Sequence, residues 1–157
     1  MKIARFVHQK GLSSVEFALS AAVFFFMMFG AIEVARAMFT WSALDAMTQR
    51  GARIAAVCPL NHASIAQTAI FGGNGALVPN ITTNNIAVRY LTVNGNPTAT
   101  QANTRFVEVS IQNYTHQMLI PSTITNFVAP LLTAPPFTTL RPAESLGENP
   151  GGPDFCT

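Results

Sequence analysis

The chain is poor in charge, and this limits the kinds of partner it can have. Charged residues make up 10% of its 157 residues, whereas about 25% is usual for a soluble domain. The net charge is +2, and the cations beyond residue 53 are the scattered Arg89, Arg105 and Arg141. No basic patch with interleaved aromatic residues occurs, so the sequence indicates no nucleic-acid partner.

Catalytic and ligand-binding motifs are also missing from the sequence. His8, His62 and His116 stand apart from one another, and no cluster of cysteine and histidine has metal-ligand spacing. The Ser-x-x-Lys and Gly-x-Ser-x-Gly patterns of acyl-transfer enzymes do not occur, and neither do the glycine-rich patterns that bind nucleotides. We therefore predict a protein that is not an enzyme and that holds no metal and no cofactor.

What the chain does have is one long apolar segment near its start. Lys2, Arg5 and Lys10 precede this segment, and residues 12–32 then contain a single charge, Glu16. A helix of about 21 residues, rising about 1.5 Å per residue, is long enough to cross a hydrocarbon layer of about 30 Å. The cations before the segment predict a cytoplasmic N-terminus, with the rest of the chain across the membrane.

Three interpretations of this segment remain open at this point. A secretory signal peptide usually has an apolar core of about 7–15 residues, shorter than the run seen here, and cleavage at the A-R-A sequence of residues 35–37 would leave Met38 first. A plain signal anchor explains the length and orientation but assigns no role to Glu16. In the third interpretation a basic leader ends at Gly11, and Glu16 is the fifth residue after cleavage there.

The third interpretation rests on a resemblance to a known family. The sequences GLSSVEFAL, FGAIEVARA and RGARIAA, in this order over about residues 8–56, resemble the TadE-like minor pilins, or pseudopilins, of the tight-adherence (Flp) pilus machinery. Gly11 and Glu16 have the spacing of a class III prepilin leader, although Phe17 stands where the Flp branch commonly has tyrosine. Type II secretion pseudopilins share such a leader but not the RGARIAA sequence.

The resemblance implies a processing step and an assembly role. A membrane-embedded prepilin peptidase would cut between Gly11 and Leu12, and Glu16 would then neutralise the new N-terminal amine of a neighbouring subunit. The implied partners are other pilin and minor pilin subunits, the prepilin peptidase, the inner-membrane assembly platform and membrane lipid. The implied function is a structural role in pilus assembly, cell adhesion and biofilm formation, from the bacterial inner membrane with a periplasmic head.

The helix is predicted to continue past the membrane, from residue 12 to residue 57. Glu33 and Arg36 lie three positions apart and can pair at the membrane exit, the alternative being two separately solvated charges. Beyond them, apolar residues recur every three or four positions, which is typical of an amphipathic helix, and Pro59 would end it. The predicted head-facing stripe is Trp41, Leu44, Met47, Gly51, Ile54 and Cys58.

The remaining residues, 58–157, are predicted to form a small head, so that the whole chain has a pilin-like α+β fold. A brief helix over residues 61–71, capped by Asn61, should precede a small antiparallel sheet packed on the long helix. An apolar piece at residues 127–132 is expected to follow the third of four predicted strands. These strands are residues 84–93, 105–114, 116–120 and 137–141, assigned from β-branched content and partial alternation.

The only two cysteines, Cys58 and Cys156, can pair in only one way. Disulfides persist outside the cytosol and are rare within it, so a periplasmic head favours a Cys58–Cys156 bridge over two separate thiols. The competing functional hypothesis is a signal-anchored periplasmic binding module or small enzyme. That hypothesis requires a pocket with convergent polar groups in the head.

Overall fold

The computed structural model describes residues 12–71, 78–118, 135–147 and 156. The chain divides into two compact units, residues 1–36 and 37–157, called here the N-terminal unit and the head unit. One long helix with a small antiparallel sheet confirms the predicted α+β class. In chain order the elements are α1 Leu12–Val57, α2 Ala63–Ala69, a 3₁₀ turn Thr83–Asn85, β1 Ile86–Leu91, a 3₁₀ turn Gln101–Asn103, β2 Phe106–Ile111 and β3 Thr138–Pro142.

Helix α1 is the long N-terminal helix of the chain, and residues 1–11 before it lie outside the described residues. It runs for 46 residues, Leu12–Val57, and the first proline of the chain is Pro59. Alanine, leucine and methionine, which favour helix, are frequent in it, and Pro59 cannot continue the helix because it lacks a backbone N–H and its ring clashes with the preceding turn. Length and composition make α1 the one helix among the described residues that is able to cross a membrane.

Over residues 13–32 of the N-terminal unit, α1 is exposed on every side. All described side chains of residues 13–32 are exposed except those of Ala21 and Gly30, which are half-buried. A helix that is apolar all round is stable only inside a large core or in a membrane. The exposed apolar surface of this unit therefore needs a cover from outside the chain.

In the head unit one face of α1 is buried, and it differs in part from the predicted stripe. Leu44, Met47, Gly51 and Cys58 are buried as predicted, whereas Trp41 and Ile54 are only half-buried. Compared with the predicted stripe, the buried face of α1 is shifted around the helix toward positions occupied by small residues. The buried positions between Ala37 and Val57 are Ala37, Thr40, Ala43, Leu44, Met47, Thr48, Gly51, Ala52, Ala55 and Ala56.

Thr48 shows why the predicted stripe differs from the face of α1 that is buried. Its side chain is fully buried, although threonine would not be counted as a core residue from its polarity. The hydroxyl Oγ1 donates to the carbonyl of Asp45 at 2.8 Å and lies 2.8 Å from Oγ1 of Thr139 in β3. A buried polar group costs little when its hydrogen bonds are made, so this face tolerates a hydroxyl.

The sheet has three antiparallel strands in the order β1-β2-β3. The register places Ile86 opposite Ile111 and Leu91 opposite Phe106 in the first pair, and Phe106 opposite Pro142 in the second. The predicted strands over residues 84–93, 105–114 and 137–141 are confirmed, the first two with shorter bounds and the third shifted by one residue. Arg89 and Glu108 face each other across β1 and β2, with Nε and Oε1 3.6 Å apart.

The third predicted strand, residues 116–120, is wrong over its described part, residues 116–118, which are irregular. The central strand β2 has two neighbours only, and Thr138–Pro142 occupies the position beside it. Strand-like composition therefore did not decide which segment paired with β2. Residues 119–120 and the predicted apolar piece at 127–132 lie outside the described residues.

A single core joins the elements of the head unit. Gly51 permits a close approach, because a Cβ atom there would lie 3.1 Å from Cβ of Ala69 in α2 and 3.1 Å from Cγ1 of Val109 in β2. The largest fully buried side chains around this point are Leu44, Met47, Ile65, Ile70, Val78, Val107 and Val109. Helix α1 thus packs against both the short helix and the central strand.

The predicted cap of the second helix is wrong. Helix α2 begins at Ala63 and its N-cap is His62, whose Nδ1 accepts a hydrogen bond from the Ser64 N–H at 3.3 Å. Asn61 instead has a positive φ of 59°, a conformation that asparagine tolerates better than most residues. Its backbone N–H donates to the hydroxyl of Tyr90 at 2.9 Å, which ties this turn to β1.

The segment after β3 returns to cover the end of α1. The N–H of Glu144 donates to the carbonyl of Ala56 at 3.0 Å, and the N–H of Gly147 donates to the carbonyl of Val57 at 2.7 Å. The last four carbonyls of a helix have no partner within it. These two bonds therefore satisfy acceptors that would otherwise need water.

A disulfide joins Cys58, the first residue after α1, to Cys156 near the C-terminus. Both residues are buried. The C-terminal part of the chain is thus attached to the end of α1 twice, by hydrogen bonds from residues 144–147 and by this covalent bond.

Candidate assembly and membrane-anchoring surface

The predicted processing and assembly residues lie at the start of α1. Gly11 falls outside the described residues, and Leu12 is the first residue of the helix. Glu16 and Phe17 are both exposed, Phe17 by 76%. Because Glu16 is four residues after Leu12, it lies one helical turn along on the same face.

Glu16 is a charge that the described chain does not neutralise. No cation among residues 12–71, 78–118 and 135–147 forms an ion pair with it. An ionised carboxylate within a membrane is costly unless it lies near the boundary or is paired. The charge of Glu16 therefore needs either an ion-pair partner outside these residues or a position among lipid headgroups.

Aromatic side chains dominate the middle of the exposed segment. The rings of Phe24 and Phe25 meet edge to face with centroids 5.7 Å apart, and Phe25 and Phe29 stack at 6.3 Å. The side chains of Phe24, Phe25, Phe26 and Phe29 are all at least half exposed. In water so large an apolar surface would drive association, whereas lipid chains or neighbouring apolar helices cover it without penalty.

The second predicted pair, Glu33 and Arg36, is in contact. Nη1 of Arg36 donates to both carboxylate oxygens of Glu33, at 3.0 and 3.3 Å. The Glu33 side chain is 4% exposed and that of Arg36 is 35% exposed. The carboxylate is therefore withdrawn from solvent while the guanidinium, which neutralises it, reaches toward the surface.

The described residues offer few groups for catalysis or metal binding. Within them, no three His, Cys, Asp or Glu side chains come together in a way that could hold a metal ion. His62, one of the predicted lone histidines, is engaged in capping α2 and in a 2.7 Å contact with Oγ of Ser64. Glu108 in β2 pairs with Arg89 in β1.

Sequence reasoning missed how the end of α1 is held. Gly147 has a φ of +82°, and a Cβ atom there would lie 2.5 Å from Cγ of Pro59, so this position accepts only glycine without rearrangement. The one available signal was a glycine after a polar stretch in an otherwise irregular tail. The partner of that glycine lies 88 residues earlier in the chain, and no local pattern reveals such a contact.

Comparison with known proteins agrees with the motifs. Residues 11–53 match the family model for TadE, described as TadE-like protein, which confirms the resemblance over this segment. No curated protein and no solved structure matches the chain. TadE-like pilus proteins are structural components and not enzymes. The match indicates a component associated with the Tad pilus, and the long apolar helix fits a membrane anchor in the cell envelope.

Proposed function

We propose that this TadE-like chain is a minor pilin of the tight-adherence pilus, held in the inner membrane by α1 and trimmed after Gly11. The observation that carries the proposal is the family match, which covers residues 11–53. This range includes Gly11 at the proposed cleavage position, Glu16 and the apolar part of α1. Cleavage after Gly11 would leave Leu12 as the first residue of the mature chain.

Glu16 has a definite role in this proposal. Cleavage creates an α-amino group on Leu12 that is charged at neutral pH. Glu16 lies one turn away, exposed and without an ion-pair partner among the described residues, so it is available to the amine of a neighbouring subunit. Pairing the two charges removes the cost of holding either one alone in a medium of low dielectric constant.

The proposed topology places the leader, residues 1–11, in the cytoplasm and the head in the periplasm. Lys2, Arg5 and Lys10 support this orientation through the positive-inside rule. The disulfide between Cys58 and Cys156 also supports it, because disulfides persist in the oxidising periplasm. The proposed partners are other pilin and minor pilin subunits, the prepilin peptidase and the inner-membrane assembly platform. Adhesion and biofilm formation would follow from the assembled pilus.

The test is the mass of the mature protein purified from its native membrane, together with pilus formation. The expected first residue is Leu12. Gly11→Ala is expected to leave the leader attached, whereas Gly30→Ala, a change of the second glycine with open space around it, should be processed normally. Glu16→Ala is expected to permit processing but to prevent incorporation into pili, and the matched exposed change Ser20→Ala should do neither.

Other results would point to the competing hypotheses. A mature chain that begins at Met38 would identify an ordinary secreted protein and overturn the proposal. A full-length chain that still supports normal pili, or a Glu16→Ala variant that assembles like the parent, would equally contradict it. If neither the Gly11 nor the Glu16 change had any effect, a signal-anchored binding module would be the better description.

A further inference from the structure

Large apolar side chains remain exposed on α1 beyond Ile32, where the apolar run of the sequence ends. Beyond it, Val34 is 45% exposed, Met38 61% and Phe39 58%. The two charged residues of this stretch behave in the opposite way: Glu33 is buried and Arg36 is turned onto it. Between residues 33 and 39 the helix therefore has its charge paired and its large apolar side chains outside.

This arrangement is the reverse of a helix that meets water. In water the charged side is outside and the apolar side is buried, whereas charged residues of membrane helices pair with each other and face the protein interior. Glu33 lies on the same helix face as Ala37 and Leu44, which are buried. Phe39 is on the opposite side.

One to two turns later begins the pattern of a helix in water, in which charged side chains are exposed and apolar side chains are buried. Asp45, Gln49, Arg50 and Arg53 are exposed, while Leu44 and other apolar residues of this stretch are buried. The change from one pattern to the other falls between Phe39 and Asp45. Trp41, the only tryptophan of the chain, lies within this interval, and tryptophan is the residue type enriched where membranes meet water.

We propose that lipid acyl chains cover α1 as far as Phe39, and that the bilayer ends between Phe39 and Asp45, about two helical turns beyond the apolar run. The proposal rests on the membrane anchoring in the proposed function and locates its outer boundary. The occupant is lipid because this surface is continuous with the fully exposed apolar exterior of residues 13–32.

The boundary also accounts for Glu16. A straight span of about 30 Å contains about 20 residues, so a hydrocarbon segment that ends at Phe39 begins near Ser20. Glu16 then lies about 6 Å outside the hydrocarbon along the helix, among headgroups, where an exposed carboxylate is tolerated. With the boundary at Ile32, Glu16 would instead lie within the hydrocarbon.

The two placements differ for Trp41. If the hydrocarbon ended at Ile32, nine residues would separate it from Trp41, which is about 13 Å along the helix and past the headgroup layer. If it ends at Phe39, Trp41 lies about 3 Å away. Tryptophans placed singly at successive positions along α1 therefore report the boundary directly.

The experiment uses the full chain in phosphatidylcholine vesicles whose acyl chains do or do not carry bromine, a contact quencher of tryptophan emission. In a Trp41→Phe background, tryptophan is placed singly by Phe26→Trp, Phe39→Trp or Ala46→Trp. Ala46 is exposed and seven residues after Phe39, so it is on the same face two turns along. Brominated lipid is expected to remove most of the emission at 26 and 39 and to leave that at 46 unchanged.

Each contrary result is specific. Emission at 39 that is unaffected by bromine overturns the proposal, including the case in which it is blue-shifted, since a second protein helix would then cover this face. Quenching at 46 as well as 39 also overturns it, because the boundary would lie farther out. If brominated lipid does not quench the emission of tryptophan at position 26, α1 is not in the bilayer and the proposed anchoring itself fails. Quenching at position 26 without quenching at position 39 contradicts the proposed boundary alone.

Discussion

At the scale of single residues, burial and polarity are uncoupled at several places in this chain. Glu33 is buried while Phe39 is exposed, the reverse of what their side chains favour in water. Thr48 is fully buried with its hydroxyl hydrogen-bonded. Tyr90 is buried with its hydroxyl accepting from the N–H of Asn61. In each case a polar group is tolerated because a partner is within reach, not because it remains in contact with solvent.

The first prediction concerns Tyr90 and alkaline pH. Burial raises the pKa of the Tyr90 hydroxyl, and the hydrogen bond from Asn61 opposes this only in part. The contribution of Tyr90 to stability is therefore fully present below about pH 10 and is lost as the pH rises through the higher pKa of the folded state. The expected loss is at most about 1.4 kcal/mol per pH unit.

Urea unfolding of the parent chain and of Tyr90→Phe, measured in detergent from pH 8 to pH 12, tests this prediction. All other titrating groups are common to both proteins, so their difference isolates Tyr90. Below pH 10 the variant should be less stable by about 0.5–1.5 kcal/mol, because the N–H of Asn61 loses its acceptor. The difference in unfolding free energy between the parent and the variant should become smaller at higher pH. A difference that stays constant from pH 8 to pH 12 would contradict the assigned effect of burial on the pKa of Tyr90.

At the scale of elements, the C-terminal end of α1 depends on both local and distant residues. This end has a local signal in Pro59, but it is completed by residues 144–147 after β3, whose N–H groups donate to the carbonyls of Ala56 and Val57. The end of the helix at Pro59 was predictable from the sequence. The segment that hydrogen-bonds to this end, residues 144–147, was not.

The second prediction is that Gly147→Ala destabilises the head more than Gly95→Ala. Both glycines have positive φ, +82° and +78°, where a side chain costs about 1–2 kcal/mol. At 147 an added Cβ would also collide with Pro59, whereas at 95 nothing lies within 4 Å. Gly95→Ala therefore serves as the matched control for the backbone effect alone.

Chemical unfolding followed by circular dichroism compares the two variants with the parent. The additional loss in Gly147→Ala measures the contact between residue 147 and Pro59 at the end of α1. Equal losses in both variants would mean that the chain relaxes around this contact and that the cap does not depend on it.

The same scale shows why the sheet was predicted only in part. The strands at 86–91 and 106–111 have enough β-branched residues to be found from composition. Residues 116–120 have similar local character, but their described part does not pair, because residues 138–142 take the edge of β2. Which of two similar segments pairs with β2 depends on the whole fold, and local sequence patterns do not indicate it. His62 displaced Asn61 as a cap for a similar reason, since Asn61 is held by Tyr90.

At the scale of the whole molecule, the C-terminal part is joined to the middle of the chain by a bond that closes a separation of 98 residues. The third prediction is that breaking the Cys58–Cys156 disulfide lowers the free energy of unfolding of the head by about 2–5 kcal/mol. The chain-entropy account of the effect is that the cross-link restricts the unfolded chain more than the folded one.

Urea unfolding of the parent chain with and without dithiothreitol measures this loss. The variant Cys58→Ala/Cys156→Ala is the control, because it should be insensitive to the reductant and should resemble the reduced parent. If the reductant leaves the unfolding midpoint of the parent unchanged, the bond contributes nothing to the stability of the head.

The sequence by itself determined the elements whose signals are local: the end of α1 near Pro59, the apolar membrane segment, the TadE-like motifs and three of the strands. These depend on composition and spacing within a few turns, where helix propensity and periodicity operate directly. Only the tertiary structure decided which face of α1 is buried, which segment borders β2, what caps the helix end and how far the apolar exterior extends past Ile32. Each of these depends on contacts between residues far apart in the chain, or on where a charge finds its partner, and neither is encoded in a local pattern.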